Sequence, residues 1–337
     1  MKNIHIVIPD LFLPQQLANY ACGDVPLPAL EKLLARADES PLNTDTLESW
    51  LCRHFAVEGM AIAPLTLQAD GLQAGAAYWL RADPVGISMQ RDQMVLQSGL
   101  NLSRAEADLL CASLNAHFAS DGLQFAAPHP QRWYVQLENT PAMETYPLGQ
   151  VVGADMHAHL PFGEDALRWH GLLNEVQMLF HEHAVNQARE QRGEAVVNGV
   201  WLWGGGKYPA HVAHSAAMLG GDSELAPAFA LAADMAVLPA SAALPENWNN
   251  AGEDLLIVWE GLRHALHNAD IGRWRAALMQ FEQDYAAPVL AALGEGRISK
   301  VTLDVLNENA SRRFEVNRAS LWKIWRQRKP LVRYALK

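Results

Sequence analysis

The stretch from His181 to Lys207 concentrates residue types suited to holding an anion. It reads His181-Glu182-His183-Ala184-Val185-Asn186, then Arg189, Asn198 and Trp201-Leu202-Trp203-Gly204-Gly205-Gly206-Lys207. Bare glycine amides and a lysine ammonium group suit phosphate oxygens, so Gly204, Gly205, Gly206 and Lys207 are candidates for a phosphate cradle. The stretch is not a P-loop, because the GxxxxGK[ST] spacing fails and Tyr208 stands where a magnesium-binding hydroxyl belongs. A tight turn explains the glycines equally well. His181 and His183 lie two residues apart, which on a helix points them to different faces. A metal pair wants i, i+3 or i, i+4. The chain has no G-x-S-x-G elbow, no G-x-G-x-x-G after its first strand and no H-E-x-x-H.

These residues need a frame. Ile4 to Ile8 is a short apolar run before Pro9-Asp10, which reads as a buried strand presenting Asp10 at its carboxyl end. Open α/β sheets bind ligands at that end. Helical patterns follow from Pro28 through Leu30, Leu33 and Leu34, and from Thr44 to Phe55. Tyr78-Trp79-Leu80 reads as a strand ending in Arg81, an anion-binding candidate. Ser103 and Glu106 form a capping box, and Arg132 to Leu137 reads as a strand. One long helix is expected from about Asp165 to Arg192, stopped by Gly193. Strands at Val196–Trp203, Leu255–Trp259 and Val301–Val305, with a helix from Ile271 to Leu293, complete the reading. Alternating strands and helices favour an α/β fold with a mostly parallel sheet and helices on both faces.

Half of the 337 residues are hydrophobic and 19% are charged, enough for a full core. The first apolar run is too short for a secretory leader or a membrane span, so the chain reads as soluble and cytoplasmic. Cys22, Cys52 and Cys111 show no CxxC spacing and read as buried thiols. Residues 311–337 carry nine Lys/Arg against Glu315, a local +8 that leaves −19 for the rest of a chain of total charge −11. That acidic body argues against nucleic acid as its partner. The tail reads as a basic helix with Leu321, Trp322 and Trp325 on one face, bounded by Pro330, and as a candidate surface for a protein partner.

The segment His183, Val185, Asn186, Arg189, Gly193, Asn198, Trp201-Leu202-Trp203-Gly204 and Gly206 resembles the H-P-V-N-x-x-R-x-x-G-x-x-P-A-N-x-I-W-x-W-G-x-G segment of archaeal-type cofactor-independent phosphoglycerate mutases. Ala184 and Val197 depart from it. Leu27-Pro28-Ala29-Leu30-Glu31, Tyr78 to Asp83, Glu106 to Phe118 and Arg132-Trp133-Tyr134 are similar to further pieces of that family in the same order. With its basic, Trp-rich tail, the chain resembles bacterial RpfE-type regulatory proteins more closely still. The resemblance implies an alkaline-phosphatase-like α/β core of residues 1–84 and 148–310, a small inserted α+β cap of residues 85–147, and the tail of residues 311–337. It also implies a nucleophile and two divalent metals. Thr44, in Thr44-Asp45-Thr46, stands for the nucleophile, and Asp10, His267 and Asp304 are the remaining metal candidates. Arg263 takes the place of a metal-binding aspartate, and the last metal segment, Asp304 to Glu308, lacks its histidine. His183, Asn186, Arg189, Asn198 and Trp203 join Arg81 and the glycine stretch as ligand-binding candidates.

The expected function is therefore a catalytically degenerate mutase-like protein that binds a small phosphorylated or carboxylated ligand in a regulatory role. The alternatives are an active metal-dependent phosphoryl-transfer enzyme and an interaction module with a vestigial cleft. No cofactor is assigned; manganese or zinc enters only if the reduced metal set works.

Overall fold

The computed structural model describes residues 2–44, 46–90, 92–239, 244, 253–267, 270–308 and 310–336. Its contacts divide the chain into Met1–Ala56 with Val212–Lys337, and Val57–His211.

Among the described residues of the first unit, the strands are β1 (Asn3–Pro9), β2 (Asp38–Pro41), β8 (Met218–Gly221), β9 (Ala236–Val237), β10 (Leu255–Val258), β11 (Lys300–Leu306) and β12 (Arg312–Asn317), which form one sheet. They lie in the order β2-β12-β11-β1-β10-β8-β9. Pairing is parallel from β11 to β9 and antiparallel where β12 and β2 extend the sheet. The helices are α1 (Gln15–Cys22), α2 (Pro28–Arg36), α3 (Leu47–His54), α9 (Ala226–Ala232), α10 (Arg263–His267), α11 (Ile271–Phe281) and α12 (Ala287–Glu295). Ile4, Ile6 and Ile8 of β1 pack into one core with Leu30 and Leu33 of α2, Leu278 of α11 and Leu293 of α12. Each such fully buried side chain contributes about 1.5–3 kcal/mol. Alternation sends His5 and Val7 to the opposite face, where the His5 ring meets Trp50 of α3 edge-on at 5.3 Å. Both faces of β1 are thus covered, which is why its sequence is an apolar run. Helices α11 and α12 join through a π-helical turn, Glu282–Ala286.

The second unit is built on antiparallel strands β3 (Tyr78–Gln90), β4 (Gln93–Gln97), β5 (Leu123–His129), β6 (Arg132–Leu137) and β7 (Gly199–Gly206), in the order β4-β3-β6-β5 with β7 also on β3. Its helices are α4 (Ile62–Ala69), α5 (Arg104–His117), α6 (Leu148–Val151), α7 (Ala166–His181) and α8 (Ala184–Gln191). The Ser103–Glu106 capping box starts α5 as expected.

Three expectations differ from the structure. The inserted unit spans residues 57–211 rather than 85–147, because β7 pairs with β3 and carries α7 and α8 with it. The long helix is two helices, because the His183 ring nitrogen Nδ1 accepts the Val185 amide at 3.2 Å and opens α8 as its N-cap. The tail is not a helix. Its first part is β12, whose Phe314 and Val316 are fully buried, and only short 3₁₀ turns follow at Ala319–Trp322 and Leu331–Tyr334. Leu331 and Tyr334 return to the core, while Trp322, Ile324 and Trp325 project 73–77% exposed.

Candidate functional site

Asp10 follows β1 with a left-handed backbone, φ 61°, which aspartate tolerates better than most residues. Its amide donates to Leu306 O at 2.9 Å and fixes it at the carboxyl end of the sheet. Its carboxylate faces an arginine: Arg263 Nε lies 3.6 Å from Asp10 Oδ2. Arg263 Nη1 lies 3.3 Å from Glu48 Oε1 and 3.1 Å from Glu260 Oε2. One guanidinium therefore sits among three carboxylates brought from β1, α3 and the turn before α10. The Glu48 and Glu260 oxygens turned away from Arg263, Oε2 and Oε1, are buried without a hydrogen-bond partner. Burial pushes the Glu260 carboxyl up from its ordinary value, and Arg263 pulls it back. Burial also opposes charge on Arg263, but Glu48, Glu260 and Asp10 outweigh it and hold the guanidinium protonated.

Asp304 is fully buried on β11. Arg313, its cross-strand neighbour on β12, donates Nε to Oδ1 and Nη2 to Oδ2, each at 2.7 Å. His5 Nε2 and Trp50 Nε1 both approach Oδ2 at 2.8 Å. Burial opposes the charge here too, yet Arg313 and His5 hold the carboxyl well below its ordinary value. Thr44 is buried and its hydroxyl hydrogen-bonds Ser49 Oγ at 2.7 Å. Thr46, not Thr44, caps α3, in a capping box with Ser49. Asp45 lies outside the described residues. His267 lies one helical turn after Arg263 on α10.

In the second unit, Arg81, Asn186, Arg189, Asn198 and Trp203, the polar candidates for ligand binding, are hydrogen-bonded to other groups of the protein. Arg81 is 4% exposed, donates Nε and Nη2 to Asp83 Oδ1 at 3.0 and 2.7 Å, and lies 5.2 Å from the centres of the Tyr134 and Trp203 rings. Trp203 Nε1 donates to the other Asp83 oxygen at 2.7 Å. Asn186 donates to Phe180 O and Val197 O and accepts from Val197 N, so it ties α8 to the approach of β7. Asn198 clamps Ile87 through both its N–H and C=O. Arg189, 1% exposed, donates to Ala195 O, Asn101 O and Glu106 Oε2. The glycines belong to strand β7, not to a loop. A Cβ on Gly205 would lie 2.5 Å from the Tyr78 hydroxyl, and one on Gly206 would lie 2.7 Å from Ala61 Cα. Close packing accounts for them, and only the exposed Lys207 of that stretch faces solvent with its charge. Asn198 also lines a cavity of 550 Å³ with Gln177, Met178, His181 and Glu182, a set with a carboxylate and no Lys or Arg.

No family model matches the chain. Its relatives in sequence are phosphoglycerate mutases. It is 28% identical over 151 residues to the probable 2,3-bisphosphoglycerate-independent phosphoglycerate mutase of Geobacter sulfurreducens, covering 44% of this chain and 38% of that protein. The corresponding enzyme of Methanosarcina acetivorans is 24% identical over 146 residues, covering 39% and 37%. The matches thus span under two-fifths of those relatives' length. Among solved structures, the PH0037 protein from Pyrococcus horikoshii matches with a TM-score of 0.53 at 10% identity, over 94% of this chain and 87% of that one. A cofactor-independent phosphoglycerate mutase from Thermoplasma acidophilum gives 0.46 at 12% identity. The α/β architecture with its mostly parallel, helix-covered sheet is the alkaline-phosphatase-type arrangement that the sequence resemblance implies.

The residues present do not fit the two divalent ions of such a site. A guanidinium already occupies the space among Asp10, Glu48 and Glu260. Four donors already converge on Asp304, three of them on Oδ2 and one on Oδ1, so protein groups engage both of its oxygens. Among the described residues no group of three or more His, Cys, Asp or Glu is placed to hold a metal ion. Sequence reasoning found Asp10, Arg263 and Asp304 but missed Glu48, Glu260, Arg313, His5 and Trp50. Only the i, i+3 spacing of Glu260 and Arg263 was a local signal.

Proposed function

We propose that this chain is a phosphoglycerate-mutase-like protein that does not transfer phosphoryl groups. It works by binding a small phosphorylated or carboxylated ligand in a regulatory, cytoplasmic role, as its resemblance to RpfE-type regulatory proteins implies. The observation that carries this reading is Arg263 seated among Asp10, Glu48 and Glu260. Phosphoryl transfer of this kind needs a dication clamp on developing charge, and a fixed internal guanidinium neutralised by three carboxylates offers no such clamp. The test is a coupled mutase assay with manganese or zinc present, which stays at background. Turnover that disappears in Thr44→Ala would overturn the reading and favour an active enzyme.

A second reading, a protein-binding role for the tail, is supported by the exposure of Trp322, Ile324 and Trp325. Lys323 and Arg326 turn back onto Asp38, and Arg328 onto Glu31, so the cations are used internally while the apolar side chains project. Exposed tryptophans next to arginine are favoured anchors at protein interfaces. A Trp322→Ser/Trp325→Ser variant keeps the melting temperature and loses partner capture; equal capture by wild type and variant would sink this role.

A further inference from the structure

Between α2 and α12, in the first unit, lies a cleft of 490 Å³, within the range of about 300–1,000 Å³ typical of small-molecule sites. Ala35, Leu290 and Ala291 give it an apolar wall, and Lys32, Arg36 and Arg328 stand around it. Lys32 and Arg36 are one helical turn apart on α2, so their heads emerge on the same face. Neither has a carboxylate partner among the described residues, in a chain of net charge −11. Arg36 Nη1 is buried with no hydrogen-bond partner. A buried donor without an acceptor costs about 1–3 kcal/mol, so the Arg36 guanidinium is held in place without being satisfied by the protein.

The carboxylate in the cleft, Glu282, is already committed. Its two oxygens accept the Ala29 and Leu30 amides at 2.6 and 2.9 Å, at the start of α2. It reaches them from the π-helical turn between α11 and α12, a geometry often found at functional positions. Arg328 pairs with Glu31 Oε2 at 3.3 Å, while Glu31 Oε1 accepts the Leu331 amide at 3.0 Å. With those two acids engaged, Lys32 and the free edge of Arg36 remain for an incoming anion.

We propose that this cleft binds a small organic anion, its carboxylate or phosphate head on Lys32 and Arg36 and a compact apolar body against Ala35, Leu290 and Ala291. The site stands on the geometry of the cleft and is tested without any assay of turnover, so mutase activity would sink the proposed function and leave this inference standing. The experiment is calorimetric titration of the full chain with benzoate, phenyl phosphate and inorganic phosphate. At least one aromatic anion binds, and benzoate against phenyl phosphate tells a carboxylate head from a phosphate one. Inorganic phosphate binds at least tenfold more weakly than the better of the two. Arg36→Gln reduces that affinity at least tenfold, and Lys32→Gln, at an exposed position that leaves folding intact, reduces it several-fold. Absence of binding by both aromatic anions, equal binding of inorganic phosphate, or unchanged affinity in the Lys32→Gln variant would each overturn the proposal.

Discussion

Replacing Arg263 by methionine keeps the length of its aliphatic stem and removes its charge. The side chain is only 14% exposed, and its contacts to three carboxylates run from 3.1 to 3.6 Å. At an effective dielectric of about 20, each such contact is roughly 5 kcal/mol of gross attraction, set against several kcal/mol for burying the ion. Removing one partner of a buried ion pair costs about 3–5 kcal/mol, and here the charges left behind include Glu48, which is 2% exposed. For a unit of this size that corresponds to a fall in Tm of about 6–20 °C. The sign with pH is specific. The Glu260 carboxyl is already raised by burial, and losing Arg263 raises it further. A carboxyl raised in the folded state gives stability that is present below its unfolded value, about 4.3, and lost as pH climbs through the folded value. The deficit of Arg263→Met is therefore larger at pH 7.5 than at pH 5, and Arg263→Met/Glu48→Gln recovers part of it. A Tm loss under about 3 °C at pH 7.5, or a double variant no more stable than the single one, would refute the account of Arg263 as the resident cation of this cluster.

Three further outcomes are expected. Burial pushes His54 down to about 4, with His5 adding to the effect, so stability is full above the unfolded value of about 6.5 and declines as pH falls from there towards 4; thermal melts across that window should show a slope that His54→Gln flattens, and an unchanged slope would remove His54 as its source. Asp83→Asn leaves the Arg81 guanidinium buried against a neutral partner and should cost about 3–5 kcal/mol in urea unfolding followed by tryptophan fluorescence; a loss within error of zero would contradict a charge pair at this place. Gly206→Ala drives a methyl group into Ala61 and should cost about 1–3 kcal/mol, against no cost if Gly206 merely offered a bare amide to solvent.

Strands β1 and β10 were legible because a parallel strand covered on both faces needs a mostly apolar run, and Ile4–Ile8, interrupted only by His5, and Leu255–Val258 supply one; β11 was legible from the alternating apolar residues Val301, Leu303 and Val305. The α5 start was legible because a capping box is complete within four residues. The break at His183 was not, since a ring nitrogen serving as N-cap leaves no distinctive spacing. The tail misled through Leu321, Trp322 and Trp325, which fit one helical face; the alternation of Arg313, Phe314, Glu315 and Val316 was the truer signal, and it marks β12. The environment of Arg263 was out of reach for a different reason. Glu48 meets Arg263 across 215 residues of chain, a pairing created by the sheet and invisible to any local pattern.

One device recurs at the places where sequence suggested chemistry: an arginine is matched to a carboxylate inside the protein. Arg81 is held by Asp83, Arg313 by Asp304, and Arg263 by Asp10, Glu48 and Glu260. Each pairing uses up a cation that could have met a phosphorylated ligand and an acid that could have met a metal. A buried ion pair adds little net stability over a well-packed apolar core, while losing one member is costly. Such pairs therefore resist stepwise change: a lone substitution that freed Asp10 or Asp304 for another task would strand a charge before any new function compensated. The cations with room to act are those without such a partner, which directs attention from the Trp-Gly strand β7 to Lys32 and Arg36 on α2.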